Sequence, residues 1–234
     1  LTEAEVEDMI QAFGETTRRA IEAGFDGVEI HGANGYLIQQ FFSPYSNRRT
    51  DRFGGSLEKR MTFPLAIIDE VKRVVDQHAT SPFLVGYRFS PEEPETPGIT
   101  MADTLAFVDV LANKGLDYLH VSVLDFFSTP HRGVEDTSKT RMQYLLEKID
   151  GRVPLIGVGS IYSAEDAYQA FETGVPLLAI GRELIIDPDW VQKVTEGREN
   201  EIVTKLQKDQ QQQLMIPDSL WNNIINAPGW FPIA

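Results

Sequence analysis

Apolar positions along the chain fall into two alternating periods. Val6, Ile10, Phe13, Thr17, Ala20 and Ile21 recur at helical spacing up to Gly24. Thr2 and Glu5 stand at capping-box spacing just ahead of that run. A short apolar run of strand length follows at 25–30. The pattern then predicts helices over 57–77, 100–114, 142–149 and 164–171, and a last helical region from Pro188 past Lys193. Strands are predicted at 83–88, 118–122, 154–159 and 177–181. Residues 36–42 read as a short helix, Pro64 as a kink or first-turn position in its helix, and 216–234 as an irregular tail.

The predicted strands are apolar on both faces, and helices separate them. That alternation demands a parallel sheet covered by helices. No repeat or linker interrupts it, so residues 1–234 read as one α/β domain.

Composition narrows the partners. The chain has 234 residues and a formal charge of −14 with only 21 basic side chains. An acidic surface argues against nucleic acid or an anionic membrane as the main partner. No apolar run reaches the ~20 residues that a membrane helix needs, and no signal segment opens the chain, so a cytoplasmic location is expected. Cysteine is absent, which removes disulfides, thiolate nucleophiles and cysteine-ligated metal centres. His31, His78, His120 and His131 show no metal-ligand spacing.

The chemistry concentrates where the first strand ends, in Gly27-Val28-Glu29-Ile30-His31-Gly32-Ala33-Asn34-Gly35-Tyr36. In parallel α/β folds ligands bind at that end of the sheet. His31 and Asn34 can both donate to one carbonyl or oxyanion, and the Tyr36 phenol can supply a proton. The same turn also reads as a packed tyrosine and a satisfied histidine in an ordinary loop. Gly159-Ser160 and Gly181-Arg182 end the last two strands. Their backbone N–H groups and the Arg182 guanidinium suit a phosphate, with a helix beginning after each. Arg88 closes an otherwise apolar strand, facing either an electron-rich ring or an ion-pair partner. His120 reads as a satisfied core histidine, and the glutamates of 91–98 as a solvated loop.

Taken together, the His31–Tyr36 turn, Gln40-Phe41, Asn47-Arg48-Arg49-Thr50-Asp51, Gly54-Gly55-Ser56, Arg88-Phe89-Ser90-Pro91, Gly157-Val158-Gly159-Ser160 and Gly181-Arg182 resemble the Old Yellow Enzyme family over nearly the whole chain. The resemblance implies an FMN-dependent NAD(P)H:flavin oxidoreductase, an ene-reductase, on a (β/α)8 TIM barrel. It implies that these strands are the fourth to eighth and that the first three are missing, so the chain is an incomplete FMN-binding barrel, inactive alone. It assigns His31 and Asn34 to the carbonyl of an α,β-unsaturated substrate, and Tyr36 to its protonation. Arg88 falls beside the flavin, and Gly159, Ser160, Gly181 and Arg182 hold the FMN phosphate. NADH or NADPH is the reductant and an enone the small-molecule partner. The lack of cysteine disfavours the branch with an iron–sulfur cluster. Open sheet edges make a homo-oligomer expected. The competing readings are a non-catalytic, self-associating fragment and a (β/α)8 isomerase or lyase that binds a sugar phosphate.

Overall fold

The computed structural model describes residues 1–234. Helix α1 (Glu3–Glu22) starts on the expected box, with the Thr2 hydroxyl accepting from the Glu5 N–H and the Glu5 carboxylate accepting from the Thr2 N–H. Strand β1 (Gly27–Gly32) leads through Tyr36 into α2 (Leu37–Phe42). Then come α3 (Leu57–His78), β2 (Leu84–Phe89), α4 (Met101–Leu111), β3 (Tyr118–Val121), α5 (Arg141–Ile149), β4 (Leu155–Val158), α6 (Ala164–Glu172) and β5 (Leu177–Ala179). Short helices α7 (Arg182–Ile186) and α8 (Trp190–Thr195) follow, and α9 (Asp218–Asn226) lies in the tail expected to be irregular. Leu220, Trp221, Ile224 and Ile225 carry a helical spacing there. Ile224 is buried with Ile186, Leu206, Ile216 and Phe231 in a small separate core. Pro64 sits inside α3.

The five strands form one parallel sheet in the order β1-β2-β3-β4-β5. Helices follow every strand and β1 and β5 form its two edges, which is a partial α/β barrel. Register assigns the faces. Ile30, Tyr87, Leu119 and Leu155 lie side by side across four strands, each at most 3% exposed, and the helices cover them. One residue further along, His31, Arg88, His120 and Ile156 make the matching row on the opposite face. Burial on the helix side holds the sheet. The polar residues on the other side are left for chemistry.

The long loop before α3 is a built support. Asn47 donates through its amide to the Phe41 and Phe53 carbonyls, at 2.5 and 2.7 Å. Asp51 accepts from the Phe53 N–H at 3.0 Å, and Arg49 chelates Asp51. Arg60 donates to the Phe42 carbonyl and the Gly55 carbonyl, both at 2.8 Å. A Cβ on Gly54 would stand 2.6 Å from Arg49 Cβ and 2.7 Å from Asn47 Oδ1, so only glycine fits this wrap. The loop thereby clamps α2, and α2 in turn fixes where Tyr36 leaves the sheet.

The 91–98 loop differs from its expected solvated character. Glu92 ion-pairs with Arg141 at 2.7 Å, with side chains only 3% and 7% exposed. Glu93 accepts from the Gln39 amide at 2.7 Å, from the Ile99 N–H at 3.1 Å and from the Ser43 hydroxyl. The loop doubles back onto α2 and α5 and takes its carboxylates with it. Charge content alone does not reveal that path.

Candidate active site

A cavity of about 470 Å³ opens at the C-terminal ends of the strands. Asn34, Arg88, Gly159, Ser160, Gly181 and Arg182 line it, together with Ser122, Tyr162, Glu183 and Trp230. Six of the eight residues singled out from sequence therefore share one space. His31 and Tyr36 stand beside it and not in its lining. Their rings are 5.4 Å apart at 51°, and Tyr36 is 63% exposed.

The turn after β1 shapes this end. Asn34 has φ of 58° and Gly35 of 74°, a left-handed pair that turns the chain sharply. The Asn34 N–H donates to Ser90 Oγ at 2.9 Å, tying the turn to the end of β2. Gly32 has to be glycine, since a Cβ there would run into the Tyr87 ring. On the side chain, Asn34 Oδ1 accepts from the Ser122 hydroxyl at 2.7 Å. Its NH2 thus remains a donor toward the cavity. Ser122 Oγ also accepts from Arg88 Nη2 at 3.2 Å. Arg88 forms no ion pair, and its buried Nε has no partner. Arg88 itself lines the cavity, where a guanidinium without an ion-pair partner suits an acceptor.

Beneath that row, His120 Nδ1 and Glu29 Oε2 are 2.9 Å apart, while His120 Nε2 is buried without a partner. The expected satisfied histidine is therefore satisfied on one nitrogen only. Burial alone would push the Glu29 carboxyl up. The hydrogen bond from His120 and the charges of His120 and Arg88 outweigh it and hold the group below the usual range. His31 is held below its ordinary value by burial and then by the Arg88 charge, so at neutral pH it is an uncharged imidazole with one N–H to give.

At the other end of the cavity, Gly159 has φ of 130° and Ser160 of 51°. A Cβ on Gly159 would come 2.6 Å from the Phe126 N and 2.8 Å from the Asp125 carbonyl carbon. Ser160 Oγ donates to the Leu124 carbonyl at 2.8 Å and accepts from Arg182 Nη2 at 3.1 Å. With the hydroxyl engaged, what Ser160 offers an anion is its backbone N–H. Nothing stands within 4 Å of where a Gly181 Cβ would lie, so that turn is an open cradle. Helix α7 has only five residues, so the attraction for an anion rests on backbone N–H groups and Arg182 more than on a helix dipole. Arg182 lies over the Tyr162 ring at 5.5 Å, and its Nη1 donates to the Trp230 carbonyl at 2.7 Å.

Sequence reasoning passed over Ser122, Glu29, Tyr162 and Glu183, and left the segment Trp221 to Trp230 either near the site or on a neighbour; Trp230 lies in the cavity wall. Ser122 sits directly after the β3 run and could have been found from its strand-end position. The others join the site through folding contacts that leave no local signal. No group of histidine and acidic side chains could hold a metal ion, and no helix is long and apolar enough to cross a membrane.

Comparison with known proteins bears on this arrangement. Residues 1–201 match the family model described as NADH:flavin oxidoreductase / NADH oxidase. The chain is 59% identical over 232 residues to the Bacillus subtilis protein named probable NADH-dependent flavin oxidoreductase YqiG, covering 99% of this chain and 62% of that protein. It is 44% identical over 223 residues to the NADH:acrylate oxidoreductase of Vibrio harveyi, covering 94% of this chain and 22% of that one. Among solved structures, morphinone reductase in complex with tetrahydroNAD superposes with a TM-score of 0.65 at 28% identity, over 85% of this chain and 51% of its own. The chain thus spans less than two thirds of the relatives it matches.

Proposed function

The chain belongs to the NADH:flavin oxidoreductase / NADH oxidase family, and from that premise we propose that it carries the phosphate site and the substrate-activating residues of an FMN-dependent NAD(P)H oxidoreductase that reduces activated C=C bonds. The observation that carries the reading is the shared cavity. Arg88, with an unpartnered buried N–H, and the Ser160–Arg182 cradle open on one space of about 470 Å³, within the usual range for a small-molecule or cofactor site. These residues suit FMN. The Gly159-Ser160 and Gly181 backbone with Arg182 would hold its phosphate, and Arg88 would meet the electron-rich edge of its ring. When bound, FMN supplies the hydride chemistry.

The chain's own side chains do the rest. Asn34 has its carbonyl oxygen fixed by Ser122, which leaves its NH2 to donate to a substrate carbonyl oxygen. Neutral His31 donates beside it. Two donors on that oxygen stabilise the negative charge that develops there as the C=C bond is reduced. Tyr36, exposed and next to His31, delivers the proton that quenches the charge at the α-carbon. Relatives named for acrylate and morphinone support activated alkenes as the substrate class. Family membership sets aside the isomerase or lyase reading. The test is made on the full-length protein. It should bind FMN with flavin absorbance and consume NADH when an enone is added. Protein that stays colourless after refolding with FMN, or whose bound flavin is reduced without passing reducing equivalents to an enone, would overturn the reading.

A further inference from the structure

The tail beyond residue 201 lies outside the family-matched residues, yet it returns to the cavity. Its anchor is Phe231, 4% exposed, packed with Leu206, Ile216 and Ile224. A short parallel bridge pairs Leu206 with Ile233. The Leu206 N–H donates to the Pro232 carbonyl at 2.9 Å, and the Ala234 N–H to the Leu206 carbonyl at 3.1 Å. This places the Trp230 carbonyl 2.7 Å from Arg182 Nη1 and puts Trp230 in the cavity wall.

We propose that residues 229–234 form a positioning element for the phosphate site, holding Arg182 from behind so that its free N–H groups face the anion. The proposal rests on the FMN reading above. A guanidinium has five N–H donors in a rigid fork. Arg182 spends one on the Trp230 carbonyl and one on Ser160 Oγ, which leaves three. The two protein bonds come from two separate segments, the tail and the β4 turn, and with the Tyr162 ring they fix the plane of the fork. A neutral carbonyl orients the cation without cancelling its charge, as a carboxylate would. Arginine on a mobile side chain must be ordered when it binds, and the tail removes that cost in advance. Trp230 and Phe231 are local positioning residues, since the anion itself meets Arg182.

The experiment titrates the apo form of the full-length protein with FMN and with riboflavin, which lacks the phosphate. Two variants are compared with wild type: a truncation ending at Pro228, and Phe231→Ala, which unhooks the anchor with a single change. We expect the Kd for FMN to rise about tenfold in each, the worth of one charge-assisted bond, with riboflavin affinity unchanged. In an Arg182→Gln background neither tail change should weaken FMN further. If the truncation does not fold, Phe231→Ala with an unchanged circular dichroism spectrum carries the test. An unaltered FMN-to-riboflavin ratio, or equal weakening of both ligands, overturns the proposal and leaves the flavin reading standing. A wild type with no preference for FMN overturns both.

Discussion

The Ser122 hydroxyl donates to Asn34 Oδ1 at 2.7 Å, across 88 positions of sequence. The Ser122 Oγ in turn accepts from Arg88 Nη2 at 3.2 Å. One small side chain at the end of β3 therefore orients both the amide of the β1 turn and the guanidinium of β2. Ser122→Ala removes both bonds. Asn34 is then free to flip its amide, and Arg88 keeps a buried N–H unpaired. We expect stability to fall by about 1 kcal/mol. Enone reduction should fall more steeply than flavin reduction by NADH, because the donor to the substrate carbonyl loses its aim. Stopped-flow measurement of the two half-reactions checks this. An equal loss in both would place the effect on Arg88 alone.

Tyr36 and His31 should separate by half-reaction and by ligand. Tyr36 stands exposed with its ring against His31, and no backbone element depends on its hydroxyl. Tyr36→Phe should leave flavin reduction by NADH unchanged and slow enone reduction by about 10²-fold or more, the usual worth of a positioned general acid. His31→Ala should instead weaken binding of phenol-like ligands, read from the shift they cause in flavin absorbance. Unchanged phenol affinity would remove His31 from the carbonyl site.

Much of this site was legible because its parts are local. The Gly32–Gly35 bracket, the glycines of the β4 and β5 ends and the alternating periods all act over a few residues, and the five strands and the helices between them formed within a few positions of their expected places. What was illegible depends on distant contacts. Ser122 matters because of where Asn34 and Arg88 arrive. Glu92 and Glu93 look like solvent-facing charge until the loop folds back onto Arg141, Gln39 and Ser43. The loop at 47–56 carried the most specific part of the family resemblance, and its polar groups serve to clamp α2. Helix α9 was missed although Leu220, Trp221 and Ile224 have its period, because Pro217 and the flanking polar residues mask so short a run.

The Glu92–Arg141 pair is the strongest stability prediction. Both side chains are nearly inaccessible, and Glu92 also accepts from the His131 N–H at 3.1 Å and the Arg132 N–H at 3.2 Å. Taking away one partner leaves the other charge buried, which costs about 3–5 kcal/mol. Arg141→Met should therefore lower the urea midpoint sharply and loosen the loop around residue 131. Glu92→Gln should cost less, since its carbonyl oxygen can still accept from the two backbone N–H groups. Arg141→Met with a loss below about 1 kcal/mol would contradict this account of the pair.

Glu183 gives the protein a built-in pH dependence. It is 1% exposed, and neither carboxyl oxygen has a partner. Burial, with the nearby Asp187 charge, pushes its pKa up to about 8. Lys193 works the other way, but that ammonium is committed to Asp187 at 2.6 Å. A carboxyl whose folded value exceeds its unfolded value of 4.5 binds its proton more tightly in the folded protein. Its contribution to stability is therefore complete below pH 4.5, declines as pH rises and is gone above about 8. Glutamine copies the protonated acid without the option of ionising. Glu183→Gln should melt close to wild type near pH 5 and above wild type near pH 8.5, by a margin on the order of a few kcal/mol. Thermal melts across that range decide it. Parallel curves for the two proteins would mean that Glu183 is ionised in the fold and finds its counter-charge in Lys193.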